Sequence, residues 1–193
     1  MKKIILVIVC KIVSVSMAQN KDNLPYYEIP EYPSEYNEGT VVARMIDGLG
    51  FRFYWATEGL RDEDLKFKPS EEGRTTGETI DHIYGLTTVI LNSALKKPNA
   101  GVKADEMMFE EKRTKTLMML KQAADIFRTE TDLSSYTIVF KRESGTSEFP
   151  FWNQINGPIA DALWHCGQVV THRRTSGNPF TSNVSLLAGK VRQ

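Results

Sequence analysis

The stretch Asn156-Gly157-Pro158-Ile159-Ala160-Asp161-Ala162-Leu163-Trp164-His165-Cys166-Gly167-Gln168, continuing through His172 to Gly177-Asn178-Pro179, decides how the chain is read. Ile159, Leu163, Cys166 and Val170 recur at helical spacing, so the segment is predicted to be an amphipathic helix. Asn156 can cap its start, and Pro158 is tolerated in a first turn, where the missing amide hydrogen would have no partner anyway. Gly177-Asn178-Pro179 stops it. Asp161 and His165 stand four residues apart, on one face and close enough to grip one ion. Gln168 and His172 extend that stripe, and all four fall within about 60° at 100° per residue. The same pattern also fits a solvated face carrying a helical Asp–His pair. Cys166, on the apolar stripe, is expected to be a buried, inert thiol. Arg173 and Arg174 complement the negative end of the helix, with anion binding the second reading.

Working outward, three more helical patterns precede this one. Thr75 followed by Glu78 is a capping-box signature. It opens a helix through Ile80, Ile83, Leu86, Ile90 and Ala94 that stops before Pro98. His82 shares a face with Leu86 and Ile90 and points inward, either as a ligand or as a hydrogen-bonded core histidine. Val42, Met45, Ile46, Leu49 and Phe53 mark a helix over residues 40–60; Gly48 and Gly50 within it cost roughly 1 kcal/mol each against alanine, which suggests close packing. Leu117, Leu120, Ala124 and Phe127 mark another over 105–129. Between this and the last helix, Tyr136, Ile138 and Phe140 alternate like a strand without a visible partner, and Phe149, Phe151 and Trp152 read as an aromatic loop. The expectation is a single all-α domain over 39–180, a four-helix bundle with a long crossover loop before the last helix, followed by a tail over 181–193.

Residues 1–18 read as a secretory signal: Lys2 and Lys3, an apolar run, then Ser16-Met17-Ala18 as small residues for cleavage. The protein is therefore expected to be exported, periplasmic or secreted. Residues 19–38 hold Pro25, Pro30 and Pro33 among tyrosines and acids, and predict an extended arm lying over the domain. Lysine plus arginine equals aspartate plus glutamate, 24 of each. Cleavage removes three lysines and no acid, leaving a net charge of −3 and opposing a nucleic-acid partner. Cys166 alone then remains, so no internal disulfide can form. No stretch is long and apolar enough to span a membrane. Phosphate loops, dinucleotide fingerprints, His-Glu-x-x-His and Gly-x-Ser-x-Gly are absent, and Asn183-Val184-Ser185 fits a glycosylation sequon.

Asn156 to Gln168 with Arg173-Arg-Thr-Ser-Gly-Asn-Pro179, Thr75-Thr-Gly-Glu-Thr-Ile-Asp-His82-Ile-Tyr, Phe51-Arg-Phe-Tyr-Trp-Ala-Thr-Glu-Gly-Leu60 and Leu65-Lys-Phe-Lys-Pro69 together resemble the DinB-like (DinB/YfiT) superfamily over about residues 39–179. The resemblance implies a four-helix bundle, often dimeric, that binds a divalent metal through three side chains. His82 and His165 match two of the ligands, and Asp161 stands where a second histidine is usual. A carboxylate hardens the site towards manganese, iron or zinc, and nickel completes the candidate ions.

The implied function is a metal-dependent enzyme, hydrolase-like or thiol-transferase-like, acting on a small-molecule substrate. The ion would lower the pKa of a water or thiol at neutral pH. Export favours the hydrolase-like branch, because small thiols are chiefly cytosolic. Tyr84, Trp152 and Gln168 are the candidate pocket residues, with the 136–152 segment as a lid. The alternative is a non-catalytic periplasmic binding or interaction bundle that retains the fold and uses the aromatic loop and tyrosine-rich arm as its contact surface.

Overall fold

The computed structural model describes residues 24–100 and 106–192. The expected signal segment, the start of the arm and the predicted start of the third helix at Asp105 lie outside them. Four long helices, α1 (Glu38–Thr57), α3 (Thr76–Ala94), α4 (Phe109–Arg128) and α6 (Ala160–Thr175), make the structure mostly helical. They close a ring in which α1 and α3 each pack against both α4 and α6. Ile46, Leu49, Phe53, Ile80, Ile83, Ile90, Leu117, Leu120, Phe127 and Ile159 are fully buried inside it. Full burial of such a side chain contributes about 1.5–3 kcal/mol, so this shared core holds the helices in register.

Local chemistry sets the helix starts. Thr75 Oγ1 accepts the Glu78 amide hydrogen at 3.1 Å while Glu78 Oε2 accepts that of Thr75 at 2.7 Å, the reciprocal cap expected for α3. Asn37 and Thr40 cap α1 in the same way, at 2.9 and 3.0 Å. The described part of the N-terminal arm is anchored by Tyr26, whose ring packs on Gly50. A Cβ there would stand 2.4 Å from the ring, so Gly50 permits this contact. The tyrosine hydroxyl donates to Asp47 at 3.2 Å, and burial beside that carboxylate pushes it far above the usual phenol range.

Three expectations need correction, and one short helix is added. The lone strand has a partner: β1 (Ile138–Arg142) pairs antiparallel with β2 (Gly145–Phe149), Ile138 opposite Phe149. The outer edge of β1 is met by Asn99, whose amide donates to Val139 at 2.7 Å and whose carbonyl accepts from Lys141 at 2.9 Å. A second short hairpin, β3 (Val184–Ser185) with β4 (Lys190–Val191), folds the tail back, and the Ile29 amide donates to Gly189 at 2.9 Å. A short helix, α2 (Asp62–Lys66), precedes α3. Finally, the aromatic segment before the last helix is helical rather than a loop. α5 (Trp152–Gln154) leads into a turn, Ile155–Ile159, whose kink at Gly157 separates it from the last helix, so the break falls at the Asn156-Gly157-Pro158 punctuation. Gly157 leaves helical geometry there (φ −93°, ψ −108°), which accommodates the ring and missing amide hydrogen of Pro158. Asn156 is thus inside the turn, and Phe151 and Trp152 belong to the helix entry rather than to a loop.

Candidate metal centre

His82 lies in the second turn of α3, between the buried Ile80 and Ile83, and reaches the seam with α6 at its solvent edge. Asp161 follows directly on the first residue of α6, and His165 lies one turn further along the same face. Across the seam, Asp161 Oδ2 stands 3.2 Å from His82 Nε2, and Oδ1 stands 3.2 Å from His165 Nε2. The imidazole rings meet edge to face, with centroids 4.6 Å apart. The carboxylate therefore bridges the two rings. Side-chain exposures of 34%, 40% and 14% for His82, Asp161 and His165 leave one side of the cluster facing solvent.

One donor atom from each residue lies within 4.8 Å of the other two, so the group could hold a metal ion. Four-coordinate ligands with bonds of about 2.0–2.1 Å stand roughly 3.4 Å apart. Donor atoms within 4.8 Å of one another reach that spacing with a small inward movement, and two imidazoles with one carboxylate suit zinc, manganese, iron or nickel. Gln168 adds orientation: its Oε1 lies 2.7 Å from His165 Nδ1. A proton on Nδ1 donated to this oxygen leaves the Nε2 lone pair free, which is the tautomer a ligand requires.

The other candidates separate from this cluster. Tyr84 is buried two residues beyond His82, about 200° around α3. Trp152 is exposed and lines a different cavity, of about 570 Å³, with Tyr36, Val41, Leu133 and Phe151. Among the three candidate pocket residues, Gln168 alone touches the histidines. His172 continues the stripe but is buried: its Nδ1 lies 3.2 Å from Thr76 Oγ1 and its ring lies against Phe67. Burial lowers its pKa. Cys166 is buried, its thiol pushed up to about 12 by desolvation, which leaves it neither a nucleophile nor a ligand.

Two contacts near the site had no sequence signal. Asp81, beside His82, is paired with the buried Lys112 of α4 and is thereby kept out of the cluster. Asp64 of α2 binds Ser176 and Asn178 just past α6, tying the far end of that helix to the segment before α3. Among the described residues no helix is long and apolar enough to cross a membrane. No family model, curated protein or solved structure matches the chain.

Proposed function

We propose that the protein is an exported, DinB-like metal-binding bundle that acts as a metal-dependent hydrolase on a small-molecule substrate. The observation that carries this reading is the convergence of His82, Asp161 and His165, from two helices, on one small volume. A divalent cation held there supplies Lewis acidity, making a water or substrate group more acidic at neutral pH. The chain's own residues do the rest. Asp161 provides the negative charge that offsets the cation, Gln168 holds the His165 ring in the ligating tautomer, and the solvent-facing side leaves room for a reactant. Thiol transfer ranks below hydrolysis because an exported protein meets few small thiols. A non-catalytic binding bundle is the second reading, favoured by the aromatic-walled cavity at Trp152, which lies apart from the histidines.

The test is elemental analysis of protein purified without an affinity tag. About one equivalent of metal per chain is expected, lost in His82→Ala with the fold retained, and Gln168→Ala should weaken metal affinity by about 10- to 100-fold. A folded wild type that takes up no metal overturns the proposal.

A further inference from the structure

We infer that the side of α6 turned away from the histidines is a binding site for a small amphiphilic carboxylate. Leu163, Val170 and Arg174 lie about half a turn around the helix from Asp161 and His165. With Arg52 of α1 and with Phe180 and Leu186 of the C-terminal segment, they line a cavity of about 340 Å³. Gly167 forms part of its wall, and a Cβ built there meets no atom within 4 Å. The volume lies in the range of small-molecule sites and, at about 30 Å³ per small group, holds roughly a dozen non-hydrogen atoms.

Charge selects the ligand. The lining carries two guanidinium groups and no carboxylate. Arg61, Arg113 and Arg128 are each paired with an acid. Arg52 instead donates to the Gly48 carbonyl at 3.0 Å, and neither Arg52 nor Arg174 has an acidic partner among the described residues. A cation beside apolar side chains gains most from a counter-charge delivered into the same space, and the planar guanidinium matches a carboxylate edge. The remaining polar lining group, Thr171, already donates its hydroxyl to Gly167 at 3.1 Å. In a mostly apolar lining a single carboxylate is favoured over a phosphate monoester, which brings more charge and more bound water to remove. The apolar body of the ligand then lies along Leu163, Val170, Phe180 and Leu186.

Isothermal titration calorimetry with decanoate, decanol and decyl phosphate tests this. Decanoate should bind saturably at one site, and decanol at least about tenfold more weakly. Arg174→Gln, at an exposed position, should weaken decanoate binding by about tenfold. Gly167→Leu should fill the cavity and abolish binding while the protein stays folded. His82→Ala should leave decanoate binding unchanged, so this site and the metal site succeed or fail separately. Absence of saturable decanoate binding, equal affinity for decanol, tighter binding of decyl phosphate, or an unchanged affinity in Arg174→Gln would each overturn the assignment.

Discussion

Replacing Asp64 with asparagine probes what fixes α6 relative to α3, and therefore what holds the two halves of the metal cluster together. The Asp64 side chain is fully buried and accepts five hydrogen bonds. Arg61 donates its backbone amide and its Nε to Oδ2 at 2.8 and 2.9 Å, and its Nη2 to Oδ1 at 2.8 Å. Ser176 Oγ donates to Oδ1 at 2.6 Å and Asn178 Nδ2 to Oδ2 at 2.7 Å. The Arg61 hydrogen bonds, opposed by burial and helped by Ser176 and Asn178, hold this carboxyl well below the usual range. An asparagine amide turns one oxygen into a donor, so at least two of the five donors lose their acceptor. Hydrogen bonds to a charged group contribute roughly 1.5–3 kcal/mol each. Because Arg61 is 46% exposed and regains water, the lower end applies, about 3 kcal/mol. For a chain of this size that lowers Tm by about 6–12 °C.

The sign with pH follows from the same contacts. A depressed folded pKa adds stability that is complete above the unfolded aspartate value of about 3.9 and is lost as pH falls through the folded value. Urea titrations at pH 7 and pH 3 should therefore show Asp64→Asn well below wild type at pH 7 and closer to it at pH 3. A variant within about 0.5 kcal/mol of wild type at pH 7, or a gap that does not narrow in acid, refutes the reasoning.

Two further perturbations read the packing and the buried imidazole. A Cβ at Gly39 would stand 2.0 Å from the Glu130 carbonyl oxygen and 2.2 Å from that of Phe127, both backbone. Gly39→Ala should therefore force α1 away from the end of α4 and cost at least about 3 kcal/mol in a denaturant melt, whereas Gly85→Ala, where a Cβ meets nothing, should gain about 0.5–1 kcal/mol; equal effects would refute the close approach. His172 has its pKa lowered by burial, so its neutral form is favoured on folding, and its contribution is complete above the unfolded value of about 6.5 and lost as pH falls through the lower folded one. His172→Gln should flatten the stability profile below pH 6.5, and an unchanged profile would count against a buried neutral imidazole.

What could be read before folding was local. Thr75 and Glu78 signal a helix start because both partners of the cap lie within four residues, and Asp161 with His165 share a face for the same reason. That His82 meets them depends on α3 packing on α6, which no spacing along the chain states; the residues left it as ligand or core histidine, and the resemblance favoured the ligand. The β2 strand escaped notice because Gly145–Phe149 is exposed throughout and held by backbone pairing, leaving no alternation to detect. Asn156-Gly157-Pro158 carries the punctuation of a helix start, and the helical path breaks there at Gly157; what it does not announce is the short helix just upstream. Tyr84 is a different kind of miss: the same 100° per residue that aligns Asp161 with His165 turns it away from His82. The carboxylate hub at Asp64 draws on residues more than a hundred positions apart, and only the folded chain brings them together.

The kink at Gly157 works as a fixed elbow ahead of the ligand-bearing helix. Upstream of it, Phe151 and Gln154 are locked into the interior; downstream, Asp161 and His165 aim at α3. Between the two, Gly157 takes φ −93° and ψ −108°, and this one break in helical geometry sets the angle at which the ligand-bearing helix leaves the upstream anchor. The aim of the metal-binding pair thus depends partly on the backbone of one upstream glycine, and neither ligand need change for the aim to be lost.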